Sequence, residues 1–367
     1  MALLEVCAQN TPDKTSSAKY NDVVLAVDAR VHGQSLDTGV SFVSMTETTD
    51  ADTTANAILD VDLLAFETGD ERQRAAVVDG VMRSLQSGFV YTAHDLGESF
   101  LDEAYGMLGQ FFSSELEEKT KYRRPESHGQ TGYTGLLVET AASSDVADWK
   151  EMLNWRAPLP ENHPLRHGHY HDPVLPEETV PGIGSLLLEF HERVADVQRR
   201  FLRIIALGIG CREDFFEEML TDGPTLTRAI RYPPMDQAPS AEHVWAGAHD
   251  DINLITALPR ATKKGLQVAV PEGWVDAIPP AGHMVINTGL MLERLTNGVI
   301  LPGRHRVVGD PDDPGERLSV VQFCHPTPWT ILNPVPSCVT NEHPLAYSSV
   351  SAASALEKVL WEINLLS

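Results

Sequence analysis

The sharpest constraint on the fold is a change of rhythm near Thr225. Over 185–207, apolar side chains fall at Leu187, Phe190, Val194, Val197, Phe201 and Ile204, in steps of three and four. That spacing makes one buried stripe and predicts a helix backing a sheet, with no ligand role. Beyond Thr225 the chain breaks into short β-prone runs separated by Pro and Gly turns, at 227–232, 249–258, 266–270, 284–287, 304–308 and 319–324. Strands of this length and spacing predict an α+β chain built on a double-stranded β-helix, or jelly-roll barrel, backed by helices.

The remaining segments arrange around that core. Helical patterns run over 69–86 and 98–112, about a strand at 89–92. A closing helix over 352–365 carries Leu356, Val359, Leu360 and Ile363 on one face. We therefore divide the chain into an extension (1–56), a helical region with substrate-side loops (57–224), the jelly-roll core (225–335) and a C-terminal segment (336–367). The stretch 46–54 is polar and Thr-rich, which suits a flexible lead-in. Runs at 23–27 and 40–43 are β-branched enough for short strands, with no partner assigned.

Charge narrows the partners. Against 28 basic residues stand 52 acidic ones, a formal charge of −24. Duplex nucleic acid and anionic membranes call for basic patches, so neither is expected, and a small molecule is. The four cysteines show no paired or metal-type spacing and read as reduced thiols. No basic segment precedes a long apolar run at the start, and a cytoplasmic location is expected. Monomer and homo-oligomer stay equally open.

The chemistry is concentrated in three short stretches, His249-Asp250-Asp251, His305 and Arg317-Leu318-Ser319. Along an extended strand, side chains two apart share a face, so His249 and Asp251 can reach one metal ion while Asp250 points away. His305 would complete a face of two histidines and one carboxylate, a set suited to non-haem Fe(II) that activates O2. Arg317 and Ser319 repeat the spacing and can hold a carboxylate together. The histidines at 163, 167, 169 and 171 lack a comparable scaffold and read as a solvated loop. His325 reads as the end of a strand.

These residues stand in a longer order. Tyr232-Pro233 precedes the His-x-Asp element; Leu295-Thr296-Asn297-Gly298, His305-Arg306-Val307 and Arg317-Leu318-Ser319 follow it. Upstream stand Ser87-Gly88-Phe89-Val90-Tyr91 and Asp148-Trp149-Lys150-Glu151. From about residue 58 onward this order resembles the isopenicillin N synthase-like family of Fe(II)/2-oxoglutarate-dependent oxygenases. One departure is Leu290, where members commonly carry an acid. The resemblance implies Fe(II) on His249, Asp251 and His305, with 2-oxoglutarate as cosubstrate. Its far carboxylate would meet Arg317, Ser319 and the Tyr232 hydroxyl, and O2 would take the remaining metal position. Oxidative decarboxylation would then drive oxidation of a small molecule, hydroxylation first, in secondary metabolism. Substrate contacts are expected among Tyr133, Trp155, Arg156, Arg231 and Phe323. The motifs leave open a cosubstrate-free oxidative cyclase like isopenicillin N synthase, a 2-oxoglutarate-using desaturase or cyclase, and a catalytically silent metal-binding jelly roll.

Overall fold

The computed structural model describes residues 58–140, 145–163, 165–166 and 170–362. The extension at 1–56, the runs at 23–27 and 40–43, His167 and His169, and Ile363 of the closing helix lie outside the described residues. In chain order the strands are β1 (Asp60–Asp62), β2 (Phe89–Ala93), β3 (Gly132–Thr134), β4 (Glu151–Trp155), β5 (Leu226–Tyr232) and β6 (Ala246–His249). Then come β7 (Ile255–Ala261), β8 (Leu266–Val270), β9 (Gly273–Asp276), β10 (His283–Thr288), β11 (His305–Val307) and β12 (Arg317–Cys324). An eight-stranded sheet has the order β1-β2-β10-β7-β12-β5-β4-β3, and a four-stranded sheet the order β6-β11-β8-β9. The large sheet takes strands from both sides of residue 224, so the expected boundary there crosses a continuous hydrogen-bonded surface.

The principal helices are α1 (Glu71–Ser84), α2 (Glu98–Ser113), α3 (Leu116–Thr120), α4 (Ile183–Gly208), α5 (Leu290–Leu295) and α6 (Ala352–Glu362). Helix α1 opens on a capping box: the Asp70 carboxylate accepts from Gln73 N, and the Gln73 side chain accepts from Asp70 N. Helix α4 buries all six residues of the predicted stripe. It is tied to the large sheet by Gln198, whose Nε2 donates to the Gln322 carbonyl at 2.9 Å. The Trp155 indole N–H returns the contact by donating to Leu187 O at 2.8 Å. No helix among the described residues is long and apolar enough to cross a membrane.

Two apolar clusters flank the large sheet. One joins the helices to Leu153, Trp155, Ala229, Leu318 and Val320. The other lies between the sheets, joining Met152, Ile230, Tyr232, Leu258 and Val285 of the large sheet to Ala246, Leu266, Val268 and Val307 of the small one. Alternation along each strand thus sorts side chains into a helix-facing set and an inter-sheet set.

The structure corrects one strand. The run 249–258 is broken: β6 ends at His249, and β7 begins only at Ile255. The two strands belong to different sheets, so the chain must cross between them. Asn253 stabilises the crossing, its amide donating to Ile255 O (3.1 Å) and to Thr256 Oγ1 (2.8 Å). Such local bonds compete with a ladder. Asp251 therefore sits in a turn, and the i, i+2 argument from an unbroken strand does not describe how it reaches His249. Strand β9, short and half-exposed, was not expected.

Candidate active site

The small sheet brings two of the three expected metal ligands together by register. His305 of β11 pairs directly with His249 of β6, and the imidazole centroids are 4.3 Å apart. Each ring is turned the same way: Nδ1 of His249 donates to Gly247 O and Nδ1 of His305 to Gly303 O, both at 2.8 Å. A ring whose Nδ1 carries the proton presents a lone pair at Nε2. Asp251 is oriented by the large sheet: Oδ2 accepts from Thr256 Oγ1 (2.5 Å) and Asn287 Nδ2 (2.9 Å). Its Oδ1 is left facing His249 Nε2 at 3.8 Å. One donor atom from each of the three lies within 4.8 Å of the others, the one such group of three among the described residues.

Protonation matches a metal-binding role. Burial, then the neighbouring His305, holds the His249 imidazole down to about 4, so it is neutral near pH 7. Burial alone would raise Asp251; the two histidines and the bonds from Thr256 and Asn287 outweigh it and keep the carboxylate ionised. Two imidazoles and one carboxylate grouped this closely can hold a divalent first-row metal and leave further positions open.

Asp250 turns elsewhere and pairs with Arg304 at 2.9 Å. That pair is partly exposed and worth at most about 1 kcal/mol. Asp250→Asn is expected to keep full iron occupancy by metal analysis; loss of metal would reassign the carboxylate ligand.

The second element is a buried cation. Arg317 is 1% exposed, as is Ser319, and Tyr232 is 3% exposed. The pairing of β12 with β5 sets Arg317 opposite Tyr232, with the guanidinium 5.1 Å from the ring centroid. Its Nη1 donates to Ser319 Oγ at 3.0 Å and its Nε to Lys263 O at 3.1 Å. Burial lowers its pKa, and the groups that oppose this are the Tyr232 and Tyr105 hydroxyls, with no carboxylate among the described residues. A guanidinium removed from water calls for an anion. The arrangement suits an incoming carboxylate.

Residues 58–178 match the family described as the N-terminal region of non-haem dioxygenases in morphine synthesis, and residues 224–326 match the 2OG-Fe(II) oxygenase superfamily. A crystal structure of a 2OG-Fe(II) oxygenase family protein from Caulobacter crescentus superposes with a TM-score of 0.74 at 32% identity, covering 84% of this chain and 99% of that one. The chain belongs to the 2OG-Fe(II) oxygenase superfamily. It is similar to leucoanthocyanidin dioxygenase 1 of Oryza sativa, at 30% identity over 77% of this chain and 74% of that protein. It is also similar to mugineic-acid 3-dioxygenase of Hordeum vulgare, at 28% identity over 84% and 87% respectively. It is an Fe(II)- and 2-oxoglutarate-dependent dioxygenase.

The expected substrate residues of the oxygenase divide by face. Phe323 shares the inter-sheet face of β12 with Arg317 and Ser319, and Arg228 lies over its ring at 5.4 Å. Tyr133, Trp155 and Arg231 fall on the helix-facing side, as the β3–β4–β5 register requires. There Glu151 accepts from the Tyr133 hydroxyl (2.5 Å), Lys119 Nζ (2.8 Å) and Arg231 Nη1 (2.6 Å). Trp155 fills the core beneath α4. The structure thus does not bring these three to the metal group, and Trp155→Ala should cost about 3–5 kcal/mol of stability in denaturant unfolding. Iron content of the folded fraction should stay normal.

Sequence reasoning passed over a charged cluster beside the histidines. Lys150 Nζ pairs with Asp148 at 2.8 Å and Glu139 at 3.2 Å. Arg228 reaches Glu139 at 3.3 Å and donates from Nε to Asn154 Oδ1 at 2.7 Å. Asp148 also accepts from Gly247 N at 2.9 Å, bracing the carbonyl that orients His249. Lys150, partly buried, adds to the lowering of the His249 imidazole, and Tyr232 favours the charged form of the lysine. Parity along β5 was available, with Arg228 and Ile230 sharing that of Tyr232; the placement of Asn154 opposite Arg228 was not, because it depends on the β4–β5 register.

Proposed function

We propose that the oxygenase hydroxylates a small organic molecule, with Fe(II) held by His249, Asp251 and His305 and the far carboxylate of 2-oxoglutarate held by Arg317, Ser319 and Tyr232. The observation that carries this reading is Arg317, buried on the inter-sheet face with no carboxylate to neutralise it among the described residues. The Nδ1 bonds to Gly247 and Gly303 support the ligand assignment, because they leave both Nε2 atoms for a metal. Bound together, Fe(II) and 2-oxoglutarate supply O2 activation coupled to decarboxylation, giving succinate and CO2. The chain does the rest. Thr256 and Asn287 fix the Asp251 carboxylate; Arg317 and Ser319 set the cosubstrate's reach; the apolar inter-sheet cluster excludes water.

We also read the two sheets as the halves of a double-stranded β-helix, which the metal group between β6, β11 and the β6–β7 turn supports. A small-molecule substrate accords with relatives named for mugineic acid and leucoanthocyanidin. The charge of −24 supports action away from nucleic acid and anionic membranes, in the cytoplasm.

The test is spectroscopic. Anaerobic protein loaded with Fe(II) should develop a visible charge-transfer band when 2-oxoglutarate is added, and on admitting air should release succinate. With a substrate in hand, hydroxylation predicts one oxygen atom gained per succinate formed; a product two hydrogens lighter would mark a desaturase or cyclase. A band that forms only with another small molecule, with 2-oxoglutarate never consumed, would overturn the cosubstrate assignment.

A further inference from the structure

Helix α6 departs from the pattern set by α4. The stripe of α4 is wholly buried, whereas the described part of the α6 stripe, Leu356, Val359 and Leu360, is only half-buried. A cavity of about 340 Å³ has Ala352, Ala353, Leu356 and Leu360 in its wall, positions that follow one face of the helix. The first turn of α6 is fastened: Ala352 N donates to Thr330 O and Ala353 N to Pro328 O, both at 2.9 Å. The turns that follow border the cavity, where α4 meets packed side chains.

Two paths lead from this cavity to the metal group. Leu290, the first residue of α5, donates its backbone N–H to Asp251 O at 2.8 Å, and the next residue, Met291, lines the cavity. On β12, Phe323 pairs with Thr256, whose hydroxyl holds the Asp251 carboxylate, and His325, two residues on, is also in the lining. The Asp251 charge is felt at the His325 ring. The lining is of two kinds. Arg156 and Gln130 belong to a polar part, where Arg156 Nη2 donates to Gln130 O at 3.4 Å and to Gln130 Oε1 at 3.3 Å. Met291 and the α6 leucines belong to an apolar part. The one acid in the lining, Glu357, is exposed.

We propose that this cavity takes the primary substrate and that Leu356 and Leu360 of α6, with Met291 of α5, select it for an apolar body of aryl or short alkyl type. The proposal rests on the oxygenase reading above and adds the side chains that set the substrate's size and polarity. The volume falls at the lower end of small-molecule sites, roughly 300–1,000 Å³, and has no room for a folded macromolecule. Half-buried leucines over a cavity favour any apolar group that takes their remaining surface out of water. Each methylene so buried is worth about fourfold in affinity. A polar group set against the same wall forfeits that gain and its own hydration as well.

The test uses the anaerobic Fe(II)–2-oxoglutarate enzyme. Benzyl alcohol, 2-phenylethanol and 3-phenyl-1-propanol, neutral probes that differ by single methylenes, are titrated and perturbation of the charge-transfer band is read. Affinity should rise about two- to fourfold with each methylene. Leu356→Ser and Leu360→Ser should flatten that rise. Leu356→Trp and Leu360→Trp, which fill the space, should weaken all three probes about tenfold or more while the 2-oxoglutarate band itself remains. Leu345→Ser, at an exposed leucine outside the lining, should change nothing. Circular dichroism checks that each variant is folded. If affinity does not grow with chain length, or the growth survives both serine variants, the proposal is wrong. Probes that bind by ligand-observed NMR without touching the band would part the cavity from the metal and overturn it equally. Should no band form with 2-oxoglutarate, the cosubstrate reading fails separately. NMR titrations of the same probes into metal-free wild type and variants then still decide whether the α6 leucines form an apolar site.

Discussion

Asp251→Ala is expected to take iron from one per chain to near zero, and turnover to background, with the fold kept. Asp251 brings the one carboxylate to a set otherwise made of two imidazoles. Without it a divalent cation would enter a buried site on two neutral donors, too few and uncompensated. The truncation also strands the Thr256 hydroxyl and the Asn287 amide, which both donate to Oδ2. That should cost about 1–3 kcal/mol, well within the stability of an ordinary domain. His249→Ala and His305→Ala should behave alike. Metal analysis with circular dichroism on the same samples checks all three, and full iron in Asp251→Ala would show that the carboxylate ligand lies elsewhere.

Arg317→Lys should raise the apparent KM for 2-oxoglutarate by about ten- to a hundredfold and leave iron unchanged. Lysine keeps a charge but loses the planar fork that takes a carboxylate at two points. It also gives up the paired contacts of Nη1 with Ser319 and Nε with Lys263 O that hold the guanidinium in its plane. One charge-assisted hydrogen bond lost in a dry site is worth roughly 1.5–3 kcal/mol, which sets the factor. Steady-state kinetics with 2-oxoglutarate varied, beside metal analysis, reads both quantities. An unchanged KM would remove Arg317 from the anchor; a large effect on the primary substrate alone would move it to a different ligand.

What could be read in the sequence was whatever one segment encodes by itself. Helix α4 is legible because its stripe depends only on its own residues, and all six apolar positions are buried. The grouping of His249, Asp251 and His305 was legible from residue type and order, and Arg317–Ser319 from spacing within one strand. Features set by how strands lie beside one another were not. The break after His249 follows from β6 and β7 belonging to different sheets, which no local pattern encodes. Trp155 looked suitable by residue type, yet its parity against Thr227 sends it beneath α4. Arg228 and Asn154 passed unremarked because their significance lies in pairing across β4 and β5. Residue chemistry nominated side chains; register decided which of them face the metal group.

That division between the two faces of the large sheet has an evolutionary consequence. Met152, Asn154, Arg228, Ile230, Val321 and Phe323 lie on the inter-sheet face, while their immediate neighbours hold the helical layer. Substitutions at every second position therefore act on the inter-sheet side and leave the helical packing untouched, so a lineage can drift between substrates with that layer intact. Insertions and deletions have no such freedom. Loss of a single residue early in β12 would invert the parity of the rest of the strand, driving Gln322 into the pocket and Phe323 under α4. New specificities in chains of this architecture should accordingly arise by substitution within strands and by length changes only in the loops between them.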